Sequence, residues 1–179
     1  MMAARNESGD CLRLIVVDTG GTFNKRYRPT DGVLVVEPGG EATRRILGSA
    51  AENLDIAWLQ PVCKDSLEMT DADRGAIVNK LSAALARSPD APVLVIHGTD
   101  TMARTGAVLA AAFPGHRIVL TGAMRPFEID PVEPALNLGV AVGFLQAAPT
   151  PGVYLAMSGL VRPLGELEKD REAGRFRAR

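Results

Sequence analysis

The chain has 179 residues, 46% of them hydrophobic, and sets 20 Lys and Arg against 21 Asp and Glu for a formal charge of −1. That is enough for one substantial α/β domain with a real core, while the charge balance excludes the basic footprint of a nucleic-acid binder or a polybasic membrane surface. Residues 1–10 are polar without the apolar stretch of a secretory signal, no run reaches membrane-span length, and Cys11 and Cys63 form no Cys-x-x-Cys pair; these features predict a flexible N-terminus, no membrane partner and a reduced, cytoplasmic setting.

Leu12 to Val17 is an apolar run that breaks into Asp18-Thr19-Gly20-Gly21-Thr22, a buried strand ending in a glycine-assisted turn. Phe23 to Asp31 is polar and irregular, which predicts a mobile loop leading through Asp31-Gly32 into a hairpin with Val33 to Val36. Glu41 to Leu54 places Ile46, Ala50 and Leu54 at helical spacing. Ile56 to Val62 is strand-like, and Pro61 argues for an edge position or a strand end. After a polar loop from Lys64, Thr70 caps a helix whose apolar face is Ile77, Leu81, Ala84 and Leu85, stopped by Pro89 to Pro92.

Pro92 to Ile96 predicts a second central strand, followed by a helix from about Met102 to Phe113 and a strand from Arg117 to Leu120. Pro131 and Pro134 mark Phe127 to Pro134 as loop, so the next helix is expected from Ala135, with Leu138, Val142 and Leu145 on one face. Val153 to Met157 is the last clear strand, with a short hairpin at Leu160 to Leu164. The charged tail, residues 166–179, is expected to be poorly ordered unless it serves the site. Strands alternating with helices over residues 11–165 are the signature of a parallel sheet covered on both faces.

In such sheets ligands sit beyond the carboxyl ends of the strands. Thr19 to Thr22, Asp65-Ser66, Thr99-Asp100 and Thr121-Gly122 all fall there. The segment His97-Gly98-Thr99-Asp100-Thr101-Met102 has two readings: a polar site at a strand mouth, or a helix N-cap supplied by Thr99 or Asp100. The groups collected are hydroxyls, carboxylates and a phenol, without Cys or His at metal-ligand spacing, so no metal and no cofactor are expected. A threonine in a glycine turn can act as a nucleophile if its proton is removed, and Thr22 with Tyr27 is the candidate pair. The alternatives are a plain turn or a phosphate loop; the turn fits neither glycine-rich phosphate fingerprint. His97 is expected to support its turn, Trp58 and Phe113 to belong to core or interface, and Arg125 to anchor its loop through a carboxylate.

Taken together, Thr19-Gly20-Gly21-Thr22, His97 to Met102, Thr121-Gly122-Ala123-Met124-Arg125-Pro126 and Asp65-Ser66-Leu67-Glu68-Met69 resemble segments of the bacterial-type L-asparaginase family. The resemblance spans roughly residues 12 to 160. It implies a Rossmann-like three-layer sandwich like the N-terminal asparaginase domain, and hydrolysis of L-asparagine to L-aspartate and ammonia. By the same resemblance Thr22 is the acylated nucleophile, and Tyr27 helps to deprotonate it or orders the closed site. Thr99 belongs to a second hydroxyl, carboxylate and amine set, Asp100 also accepts the substrate ammonium, and Asp65-Ser66 bind substrate, with Ser66 on its carboxylate.

Two departures from the family shape further expectations. The larger members carry a second domain that helps complete a neighbouring subunit's site, whereas this chain resembles the short, single-domain variety; a dimer or tetramer is therefore expected to cover the site. The larger members also place a catalytic lysine after the helix that follows Ala-Met-Arg-Pro, but Gln146 to Pro149 contains none, and after Thr99 the only lysine is Lys169. The tail is expected to fold back and deliver Lys169, the alternative being a solvated charge. A catalytically silent amino-acid-binding module, or a preference for glutamine, are the other readings; the two amides differ by one methylene, worth only about 1–3 kcal/mol of discrimination.

Overall fold

The computed structural model describes residues 11–147 and 150–179. The N-terminus expected to be flexible, residues 1–10, lies outside them. The strands are β1 (Leu12–Asp18), β2 (Lys25–Arg28), β3 (Val33–Val36), β4 (Leu54–Leu59), β5 (Val93–Ile96), β6 (Arg117–Thr121), β7 (Gly152–Met157), β8 (Leu160–Pro163), β9 (Leu167–Asp170) and β10 (Arg175–Ala178). The helices are α1 (Glu41–Gly48), α2 (Asp71–Leu85), α3 (Met102–Ala112) and α4 (Val132–Ala147).

The main sheet runs β4-β1-β5-β6-β7-β8, with the first five strands parallel and β8 antiparallel. Alternation along β1 explains the three layers. Ile15 and Val17 face a core built with α2, α3 and the tail, while Leu14 and Val16 face a core built with α1 and α4. β4 occupies the edge, as Pro61 predicts. The chain reverses its order across the sheet at β1 and β5, so the turns after these neighbours flank the switch-point crevice.

Three elements depart from the sequence expectation. The residues expected to form an irregular loop make a single 3-10 turn and then β2, which pairs antiparallel with β3. The helix expected through Leu54 ends at Gly48, a poor helix former, and Leu54 pairs instead with Leu12 in the sheet. α4 begins before Pro134, because proline is tolerated in a first turn whose N–H groups have no partner anyway. The tail, expected to fold back and deliver Lys169, returns as a hairpin, β9–β10.

The pairing of that hairpin places its side chains. Lys169 stands opposite Phe176, and Leu167 is two residues from Lys169, so all three share a face. Leu167 and Phe176 are buried in the core beside α3. The other face carries Glu168 paired with Arg177 and Arg179.

Behind the turn after β5 lies a buried polar chain. Arg74 Nε donates to Thr105 Oγ1 at 3.2 Å, Thr105 Oγ1 lies 2.8 Å from His97 Nε2, and His97 Nδ1 lies 2.8 Å from the Gly98 carbonyl. A carbonyl only accepts, so Nδ1 carries the proton and Nε2 accepts from the threonine. Burial pushes the His97 imidazole down to about 4, the Gly98 carbonyl opposes this, and the charge of Arg74 adds to it. His97 therefore supports its turn as a neutral ring.

Two outcomes follow. Phe176→Ala should cost about 3 kcal/mol or more, the range of a large aromatic leaving a packed core, measured by urea unfolding; a loss under about 0.5 kcal/mol would mean that the tail is an appendage. For His97 the folded value of about 4 lies below the ordinary 6.5, so its contribution is complete above pH 6.5 and disappears as pH falls through 4. Between pH 7 and 4 this amounts to about 3 kcal/mol, visible as a steeper loss of stability in the wild type than in His97→Asn. Parallel pH curves for the two proteins would refute the assignment.

Candidate active site

The turn after β1 is held from below and from the side. Thr19 Oγ1 donates to the Ile96 carbonyl at 2.8 Å, and Gly21 N donates to the Lys64 carbonyl at 2.9 Å. Gly20 and Gly21 adopt φ of +91° and +79°, and a Cβ on Gly21 would lie 2.5 Å from Gly98 Cα and N. Only glycine suits that backbone and that approach. Thr22 follows at once, partly exposed above the fully buried Phe23, and its hydroxyl makes no hydrogen bond to a described residue.

Asp18 organises the same turn, although it was not among the residues singled out from sequence. It is buried and accepts from Gly20 N, from Asn24 Nδ2 on both oxygens, and from Thr43 Oγ1. Burial pushes its carboxyl up, against the hydrogen bonds from Asn24, Gly20 and Thr43. The available signal was a carboxylate closing an otherwise apolar strand.

The loop after β4 brings in a second wall. Asp65 caps the single turn Ser66–Glu68 by accepting from Leu67 N, and Thr101 Oγ1 donates to the Ser66 carbonyl at 2.8 Å. Ser66 is buried against Gly98, and its hydroxyl has no hydrogen-bond partner among the described residues. A buried donor without an acceptor is suited to a ligand anion. Lys25 Nζ lies 2.6 Å from Asp65 Oδ2. Burial raises the Asp65 carboxyl, but Lys25, the Leu67 amide and the charge of Lys169 outweigh it and hold the group below the usual carboxylate range.

Thr99 and Asp100 are not helix caps. The residue at the N-cap of α3 is Thr101, without a side-chain cap. Lys169 Nζ instead donates to Thr99 Oγ1 at 2.8 Å and to Asp100 Oδ1 at 3.0 Å. Arg171, another residue not singled out from sequence, brings Nη1 to 2.7 Å from the same Asp100 oxygen. Asp65, Ser66, Thr99, Asp100 and Lys169 thus converge, and Gly21, which precedes Thr22, packs against Gly98.

Tyr27 does not join them. Strand alternation puts it on the same face of the hairpin as Lys25, yet it is 55% exposed and its hydroxyl lies near Gly32 at the hairpin turn. The expected pair of Thr22 with Tyr27 is therefore not formed in this structure. Two blander expectations have direct counterparts: Arg125 pairs with Asp130 at 2.8 Å, and Phe113 is buried. Trp58 is half-buried under the Arg44 guanidinium. A cleft of about 300 Å³ at the hairpin root, between Phe23, Asn24 and Phe127, is lined by none of the converging residues and meets them only through Lys25, the partner of Asp65. Among the described residues no cluster of His, Cys, Asp or Glu is placed to hold a metal, and no helix is long and apolar enough to cross a membrane.

Residues 13–169 match the family model described as asparaginase, N-terminal. A subunit of the glutamyl-tRNA(Gln) amidotransferase of Pyrobaculum aerophilum is 32% identical over 134 residues, which are 73% of this chain and 31% of that protein. The thermostable L-asparaginase from Thermococcus kodakarensis superposes with a TM-score of 0.75 at 22% identity, covering 93% of this chain and 51% of that one. A probable cytoplasmic L-asparaginase from Campylobacter jejuni superposes with a TM-score of 0.76 at 23% identity, covering 93% and 53%. The chain spans about a third of that curated relative and about half of each solved structure, and it belongs to the asparaginase family through the N-terminal domain of that family.

Proposed function

We propose that the protein is an amidohydrolase that converts L-asparagine to L-aspartate and ammonia through a Thr22 acyl-enzyme. The observation that carries this reading is the contact of Lys169 Nζ with Thr99 Oγ1 at 2.8 Å and Asp100 Oδ1 at 3.0 Å. It equips a hydroxyl for proton transfer at the mouth of the switch-point crevice. The lysine donates to the threonine oxygen, which leaves the Thr99 proton free to be given away and stabilises the oxygen that loses it.

Thr22 Oγ adds to the side-chain amide carbonyl as its proton passes to the Thr99 set, and the carbonyl oxygen takes the negative charge. The C–N bond breaks as the leaving nitrogen takes a proton delivered through Thr99, and ammonia departs. Water then cleaves the Thr22 ester and regenerates the hydroxyl. Ser66 donates to the substrate carboxylate and Asp100 faces the substrate ammonium. Tyr27 reaches the site only when the β2–β3 hairpin closes over it, which also excludes water during the attack. Assembly as a dimer or tetramer belongs to the same proposal; exposed Ile129, Val132 and Leu136 offer apolar surface for it.

The similarity to one chain of an amidotransferase supports a second reading, in which the nitrogen goes to an acceptor held by a partner chain. Ammonia release by the purified chain alone separates the two. With L-asparagine and L-glutamine as substrates, Thr22→Ala should lower kcat by about 10³-fold or more, and Lys169→Met by about 10²- to 10⁴-fold. Full turnover by Thr22→Ala would remove the acyl-enzyme, and full kcat in Lys169→Met would remove the role given to the tail.

A further inference from the structure

Asp100, which faces the substrate ammonium in the reading above, already carries two cations. Lys169 and Arg171 approach the same oxygen, Oδ1, at 3.0 and 2.7 Å. Among the described residues, the only other ion pair within the converging group is Lys25 with Asp65 at 2.6 Å. The neighbouring acids are engaged elsewhere: Glu168 by Arg177 and Arg179, Asp170 by Arg177, and Asp73 by Lys64. Three cations therefore meet two carboxylates around the crevice, and beside them the Ser66 hydroxyl is buried without a partner among the described residues. An ammonium entering here meets two cations already seated on its acceptor, whereas a carboxylate meets donors and an excess positive charge.

We propose that this site recognises its substrates through the carboxylate and does not require the α-ammonium. The substrate class is the ω-amides of dicarboxylic acids, with L-asparagine one member and with the amino group absent or acylated in the others; Arg171 sets that preference. The inference rests on the amidohydrolase reading above.

Arg171 has the freedom and the chemistry for the role. Its side chain is 67% exposed and is held on Asp100 by one ion pair, whereas Lys169, 17% exposed, is also bonded to Thr99. An exposed pair of this kind exchanges easily, and a guanidinium can transfer from one carboxylate to another with both of its parallel N–H groups engaged. The chemical balance is that of the parent reaction: the amide C–N bond breaks, a C–O bond to water replaces it, and ammonia leaves.

The test measures kcat/KM for L-asparagine, succinamate and N-acetyl-L-asparagine with wild type, Arg171→Gln and Arg171→Lys. Wild type should turn over succinamate at least as well as L-asparagine. Arg171→Gln should lower kcat/KM for succinamate and N-acetyl-L-asparagine by about 10-fold and for L-asparagine by a clearly smaller factor, because the same change frees Asp100 for its ammonium, and Arg171→Lys should restore part of the difference. Turnover of N-acetyl-L-asparagine as well supports the acylated form of the class; turnover of succinamate alone supports the deaminated form. A wild-type preference of more than about 10-fold for L-asparagine over both others, or an equal effect of Arg171→Gln on all three, overturns the proposal. If wild type hydrolyses none of them, the amidohydrolase reading fails separately, and calorimetry with succinamate and L-asparagine decides this one. Tighter succinamate binding that is lost in Arg171→Gln supports it, and tighter L-asparagine binding overturns it.

Discussion

The close approach of two backbones, at Gly21 and Gly98, is the constraint on which the candidate site depends. A Cβ on Gly21 would lie 2.5 Å from Gly98, and one on Gly98 would lie 2.5 Å from Ser66 Oγ. The turns that carry Thr22, Ser66 and Thr99 therefore share a space with no room for a methyl group. The first and third turns are also fixed from behind by a buried polar residue: Asp18 collects four donated hydrogen bonds beneath the first, and His97 bonds its own strand end beneath the third. Such networks are costly to leave half-satisfied, which makes them specify one geometry rather than several.

The tail depends on the same site from the other direction. A lysine that is 17% exposed needs both partners and anchoring. Thr99 and Asp100 supply the partners. Leu167 and Phe176, on the same face of β9–β10, supply the anchoring by entering the core beside α3. The ion pairs on the outer face, Glu168 with Arg177 and Arg179, are exposed and contribute little to stability. Burial of two apolar side chains, rather than the charged surface, holds Lys169 in place.

The central strands, α2 with its cap and the family were legible in the sequence because each rests on local signals: buried β-branched runs, a Thr70 capping box and four motifs. What was misread depended on long-range context. Ile46, Ala50 and Leu54 have true helical spacing, yet Leu54 gains more by pairing with β1. The return of the tail was expected only from the need for a lysine near Thr99; its hairpin form was not, because Leu167 and Phe176 lie far apart in the chain and share a face only once the hairpin forms. Of the residues singled out for the site, Asp65, Ser66, Thr99, Asp100 and Lys169 meet in space. Tyr27 does not, since it sits in β2, a strand of the hairpin where local spacing described the loop leading into it. Arg171 and Asp18 escaped notice because a charge is informative only when its partners are known.

That hairpin also stands apart from the main sheet. β2 and β3 form an isolated two-stranded ribbon, an element of marginal stability by itself. Its attachments are at the root: Lys25 to Asp65, Arg26 to Glu41, and Tyr27 N to Glu128. Val33, Leu34 and Tyr27, by contrast, are exposed. A ribbon tied at one end by charged groups and apolar at the other has reason to fold onto any surface that offers apolar cover or an acceptor for a phenol. The attachment nearest the chemistry, Lys25 with Asp65, is also one of the charges that surrounds the crevice. A ligand carboxylate that draws Lys25 from Asp65 would therefore loosen the root as it fills the site, coupling substrate charge to the movement that would bring Tyr27 toward the proposed nucleophile, Thr22.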